Sequence, residues 1–149
     1  MRDVTENVVL IRSAKLSNVA QYAYAATAPA EARLIFLAGA CPLNLDGSIA
    51  EVGDYSAQAS KAMENLDIAL HAAGARLEDV LSTRVLVAPS HQNDLVTAWA
   101  VIREAFGTHD VPSTLLGVSV LGYTDQLVEI EAVGCSERLT RPSRRGFPL

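Results

Sequence analysis

Two carboxylates inside an apolar run are the first residues of this chain that ask for a chemical explanation. Residues 127–133 read LVEIEAV. On a pleated strand Val128, Ile130 and Ala132 share one face, and Leu127, Glu129, Glu131 and Val133 share the other. An ionised carboxylate buried without a partner is very costly, so Glu129 and Glu131 must be exposed, paired or put to use. Carboxylates in use hold cations, take protons or orient water. Arg84 is the mirror case, a lone cation within VLSTRVLV, and is a partner for either glutamate.

Other reactive residue types carry weaker signals. Cys41 follows a strand end, where sites gather, but no base lies near it in sequence; a lone thiol is ordinarily a small buried apolar group. Cys135 reads as core or strand end. His71, His91 and His109 lie far apart and outside any HExxH or CxxC context, so the sequence shows no metal site. Gly39 opens Gly-Ala-Cys-Pro, which leads into no immediate helix, so neither the dinucleotide fingerprint nor the P-loop applies. Trp99, the only tryptophan, lies on the apolar stripe of its helix; it is core, or it lines a ligand cavity. Arg138, Arg141, Arg144 and Arg145 crowd the C-terminal end, where a solvated tail is the ordinary reading and an acidic partner or RNA the sharper one.

Bulk properties narrow the choices. At 149 residues, half of them apolar, the chain is long enough for one domain with a proper core. Its net charge of −5 and pI near 5.1 disfavour nucleic acid and anionic membranes as partners. No apolar run has the length of a membrane span, and the acidic N-terminal segment is not a secretion signal. With two cysteines and no disulfide framework, the expected compartment is the cytoplasm.

The elements that would position these residues follow from periodicity. Strands are expected over 7–12, 22–27 and 33–39, forming a meander. A helix follows over 54–73, capped by Asp54 and stopped by Gly74, with Ala57, Met63, Leu66, Ile68, Ala69 and Leu70 on its apolar positions. A strand over 80–87 comes next, with Leu81, Thr83, Val85 and Val87 on one face and Val80, Ser82, Arg84 and Leu86 on the other. Ser90 caps a second helix over 91–106, whose stripe is Leu95, Trp99, Ile102 and Phe106. Two strands joined by a tight turn, between Pro112 and Cys135, complete a domain spanning 1–136, and 137–149 reads as a polar tail. The order β-β-β-α-β-α-β-β implies an α+β layer, with two helices on one face of a mixed sheet. The mixed character of the other face suits a subunit interface.

The pieces LAGACPL, QASKAMEN, AAGARLEDVLSTRVLV and VEIEAVG, in this order of elements, resemble the Rid (reactive intermediate deaminase) or YjgF family over about residues 19–134. The resemblance implies a chorismate-mutase-like α+β fold assembled as a homotrimer, with small-molecule sites in clefts between subunits and no cofactor. It further implies hydrolysis of reactive enamines and imines, such as 2-aminoacrylate, to a 2-keto acid and ammonia. The family glutamate that orients the attacking water matches Glu129. The N-terminal tyrosine of the family matches Tyr22, and the glycine whose backbone approaches the ligand matches Gly39.

The family arginine that grips the substrate carboxylate has no match. Pro112-Ser113-Thr114 stands where deaminating members read Pro-x-Arg, so its slot falls on Thr114. Trp99 replaces a family asparagine, and Leu116 replaces a cysteine, leaving a less polar and more crowded pocket. Losing a desolvated bidentate clamp costs about 2–5 kcal/mol. That corresponds to about 30-fold to several thousand-fold in rate. Arg84 would restore the grip if it reaches the cleft. Three readings result: imine or enamine hydrolysis with Glu129 orienting water, ligand binding without turnover, and an endoribonuclease activity that the acidic chain disfavours.

Overall fold

The computed structural model describes residues 8–89 and 91–137. Its elements run β1 (Val9–Ile11), β2 (Ala25–Thr27), β3 (Arg33–Phe36), α1 (Tyr55–Ala72), a 3-10 turn (Leu77–Asp79), β4 (Val80–Val87), α2 (Gln92–Phe106), β5 (Ser113–Gly117) and β6 (Val128–Ser136). The main sheet has the order β3-β6-β4-β5, with β4 and β5 parallel and the remaining pairs antiparallel. The sheet is therefore mixed, as expected.

Its connectivity corrects two expectations. The Pro112–Cys135 stretch is not a hairpin, because β4 lies between β5 and β6. The reason is the α2 crossover: a helix joining two strands allows them to pair in parallel, so β5 docks on β4 and takes the sheet edge. Residues 118–127 then cross back over β4 to start β6. The first three strands are not a meander either. β1 pairs with β2 in a separate ribbon, while β3 pairs with β6, so the earliest strand of the main sheet closes on the last.

Helix boundaries follow their caps. The Asp54 carboxylate accepts the Ala57 N–H at 2.9 Å, and Gly74 takes the left-handed conformation (φ 81°) after the last turn. For α2 the cap residue is His91 rather than Ser90, which lies outside the described residues; the Asp94 carboxylate accepts the His91 N–H at 3.0 Å. The expected strand start at Asn7 and the arginines Arg138, Arg141, Arg144 and Arg145 also lie outside the described residues.

Both helices cover one sheet face. Leu66, Leu70 and Ile102 from the helices, with Val80, Val85, Val87, Val128 and Ile130 from the sheet, are fully buried there. Each such side chain contributes about 1.5–3 kcal/mol through burial. Two sequence expectations shift. Ile68 and Ala69 are exposed on the outer side of α1, whereas Gln58 is buried. In β4 an irregularity between Val80 and Ser82 resets the alternation and turns Val80 into the core. Ser82, Arg84 and Leu86 keep the expected side, opposite the helices. Cys135 is buried as read.

Candidate functional site

On the helix-free face, the sheet register arranges the chemistry-bearing side chains in rows. Thr114 of β5, Arg84 of β4 and Glu131 of β6 are successive cross-strand partners. Leu116, Leu86 and Glu129 form the next row. Partners in register project to the same face, so Glu129 stands two residues along β6 from the Arg84 row.

Arg84 pairs with Glu131, Nη1 to Oε2 at 3.5 Å. The two side chains are 60% and 43% exposed, which makes this a water-screened pair that an incoming anion can compete with. Of the two glutamates offered to Arg84 by the sequence, the fold thus supplies Glu131.

Glu129 has a different partner. The Cys41 thiol donates to Glu129 Oε1 at 3.1 Å. This contact exists because the chain after β3 continues alongside β6: Ala40 and Ile130 exchange backbone hydrogen bonds at 2.7 and 3.0 Å. Gly39 makes room for it. A Cβ there would lie 2.5 Å from Glu129 Oε1 and 2.8 Å from its carboxyl carbon. The glycine thus has a structural reason of its own, the close approach of the carboxylate. Burial, the hydrogen bond to Glu129 and the charge of Glu129 together push the Cys41 thiol up to about 11 from an ordinary 9.0. Sequence showed no base beside Cys41; folding supplies a carboxylate, which keeps the thiol protonated instead of activating it.

Two α1 residues that sequence reading missed hold this region in place. Asn65 donates to the carbonyls of Cys41 at 2.8 Å and Leu43 at 3.0 Å. The buried Gln58 donates to Asp125 O at 2.9 Å and accepts the Leu127 N–H at 2.8 Å, tying the entry of β6 to the helix. Gln58 and Asn65 are two helical turns apart, on one side of α1. A polar pair at that spacing on a mainly apolar stripe was the available signal.

Tyr22, Trp99 and Thr114 come together elsewhere, at the free edge of β5. Ala23 N–H donates to Asp110 O at 2.8 Å, and Arg12 pairs with Asp110 at 2.6 Å, holding the Tyr22 segment against the α2–β5 connection. The Tyr22 and Trp99 rings meet edge to face, 6.3 Å apart at 85°. With Ala20, Ser113, Thr114 and Leu115 they line a cleft of about 400 Å³. A more open depression of about 260 Å³ lies on the helix-free face and includes Gly39, Arg84 and Glu131. The seven candidate residues therefore divide. Tyr22, Trp99 and Thr114 share the edge cleft, and Gly39 and Arg84 share the depression. Leu116 and Glu129 sit in the adjoining row. Thr114 joins the groups, since it lines the cleft and neighbours Arg84 in register.

Among the described residues, no three His, Cys, Asp or Glu side chains converge as a metal site, and no helix is long and apolar enough to cross a membrane. His109 Nε2 lies 2.8 Å from Val80 O, and His71 Nδ1 lies 2.8 Å from Asp67 O. Both cysteines are free.

A mixed sheet with two helices on one face places the chain in the chorismate-mutase-like class of α+β proteins. The family described as endoribonuclease L-PSP matches residues 13–135, and the chain belongs to this family, the YjgF/Rid family. It is 33% identical over 103 residues to a RutC family protein of Pyrococcus abyssi, covering 69% of this chain and 79% of the relative. The fold is similar to that of the Rid family protein YyfB of Yersinia pestis, with a TM-score of 0.79 and 26% identity over 87% of this chain and 99% of that one. It is also similar to E. coli TdcF, solved with bound serine, with a TM-score of 0.61 and 25% identity over 78% of this chain and 95% of that one.

Proposed function

We infer that this protein hydrolyses a small imine or enamine to a carbonyl product and ammonia. The observation that carries the reading is the pair of adjoining rows on the helix-free face, with Arg84 beside Thr114 in one and Glu129 in the next. Thr114 occupies the slot of the family arginine. Arg84 replaces that arginine from the neighbouring strand, giving up its exposed pair with Glu131 to take a substrate carboxylate. Bound serine in TdcF supports a ligand whose carboxylate and nitrogen are attached to one carbon, as in a 2-imino acid. With Oε1 of Glu129 occupied by the Cys41 thiol, Oε2 is the oxygen that orients water toward the C=N carbon. Water adds to that carbon, its proton passes by way of Glu129 to the nitrogen, and collapse of the carbinolamine releases ammonia.

The site works in an assembly of three subunits. Phe36 and Leu34 are exposed on the helix-free face beside the depression, which supports burial of that face against a neighbour. The free thiols support a reducing compartment, the cytoplasm. Binding without turnover is the second reading, favoured by the absence of a fixed cation at Thr114 itself. The test is ammonia release from 2-aminoacrylate or 2-iminopropionate generated in place. Acceleration that is lost in Arg84→Ala supports the transferred grip. Acceleration unchanged in Arg84→Ala refutes it, and no acceleration removes deamination of these substrates. Sedimentation at monomer mass would remove the assembly.

A further inference from the structure

The edge cleft differs in character from the sheet face beside it. Its walls are two aromatic rings, two hydroxyl residues, an alanine and a leucine, and none of its lining residues is charged. Arg84, Glu131 and Glu129 stand on the sheet side of Thr114; Arg103 and Asp110 line the adjoining cavity behind the Tyr22 and Trp99 rings, where Arg103 is engaged by Gln21 and Asp110 by Arg12. The cleft volume of about 400 Å³ falls within the range of small-molecule sites. Ammonium and carboxylate groups lose hydration in an uncharged aromatic cleft without a compensating partner, whereas apolar carbon gains there. Ser113 does not offer a free polar hook, because its hydroxyl is already engaged with Thr83 Oγ1 at 2.7 Å and with Val111 O at 2.9 Å. Thr114 is left at the mouth, between the apolar cleft and the Arg84 row.

We propose that the site selects substrates bearing an apolar side chain, aromatic or branched, which enters the cleft between Tyr22 and Trp99 while the carboxylate turns toward Arg84. The proposal deepens the hydrolase reading and rests on it for the reacting end of the molecule. Edge-to-face packing holds the Trp99 indole where a second ring can stack or abut it. A substrate with only a methyl or methylene group would leave the cleft to water and forgo this contribution. The proposed specificity is therefore for larger imines over that derived from alanine.

Trp99 is the only tryptophan, so its emission reports occupancy of the cleft directly. The full-length protein is titrated with 3-phenylpropionate and with propionate, neither of which can be hydrolysed. The expected result is a saturable change in emission with 3-phenylpropionate, at a midpoint at least about tenfold below that of propionate, from burial of the ring. Thr114→Asp places a charge at the exposed mouth of the cleft and is expected to abolish the change without altering the spectrum of the free protein. Equal midpoints, no change with either compound, or a Thr114→Asp protein that responds like the wild type would each overturn the proposal. No change is also the result expected if a neighbouring subunit fills the cleft. Because the probes report binding alone, saturation without imine hydrolysis leaves the specificity standing and sinks the catalytic reading. Hydrolysis without size preference does the reverse.

Discussion

Replacing Glu129 by Gln tests the thiol–carboxylate contact quantitatively. The Cys41 thiol sits at about 11, and the causes in order of size are burial, the hydrogen bond with Glu129 and the negative charge of Glu129. Gln keeps the shape and removes the charge, so the thiol is expected to titrate lower while burial holds it above its ordinary 9.0. At pH 9 a thiol with a pKa of about 11 is about 1% thiolate, and each unit of downward movement raises that about tenfold. Thiolate nucleophilicity falls with pKa at a Brønsted slope of about 0.4–0.5, so the net gain in alkylation is about threefold per unit. The assay is iodoacetamide labelling across pH 7.5–10.5, with peptide mass spectrometry separating Cys41 from the buried Cys135. Glu129→Gln should shift the Cys41 profile to lower pH and raise its rate at pH 9. An unchanged or upward-shifted profile would refute the contact and, with it, the placement of Glu129 Oε1.

Further expectations follow from the same geometry. Gly39→Ala places a Cβ 2.5 Å from Glu129 Oε1, so it should displace the carboxylate and lower the Cys41 titration as Glu129→Gln does, read by the same alkylation profile. Gln58→Leu leaves the Leu127 N–H and the Asp125 carbonyl without their partner and should cost about 1–3 kcal/mol for each group that stays dry, read as a lower melting temperature. Arg84→Ala should change stability by no more than about 1 kcal/mol, because its pair is exposed, yet weaken carboxylate binding. For pH, an acid whose folded pKa is raised binds its proton more tightly in the folded state. Its contribution is therefore fully present below the unfolded pKa and lost as pH rises from about 9 to about 11. Wild type should lose more stability over that interval than Cys41→Ala does, as measured by denaturant titration at fixed pH values.

The sequence carried the element types because local periodicity sets them. The stripe positions Met63, Leu66 and Leu70, the Asp54 cap and the Gly74 stop are all short-range features, and all appear in the fold. Strand order is a long-range property. The run 112–135 reads as a hairpin locally, and only the parallel docking of β5 on β4 through α2 shows otherwise. The same distinction governs the site. Alternation assigned Arg84 and Glu131 each to a face of its own strand, but the register alone puts them on one face as neighbours. The Cys41–Glu129 contact spans 88 positions in sequence and depends on a strand end folding back beside β6. Gln58 and Asn65 left a local trace, a polar pair two turns apart on the α1 stripe, but the backbone groups that Gln58 holds, Asp125 O and Leu127 N–H, are distant in sequence and only the fold identifies them.

Whether Glu129 orients the hydrolytic water is decided by ammonia release from an imine generated in place, measured for wild type and Glu129→Gln at equal concentrations. Loss of a positioned carboxylate base typically removes about 10²–10⁴-fold in rate. Wild type should accelerate the release, and Glu129→Gln, folded and assembled, should lose rate by that order. Equal rates for the two proteins would contradict that role of Glu129.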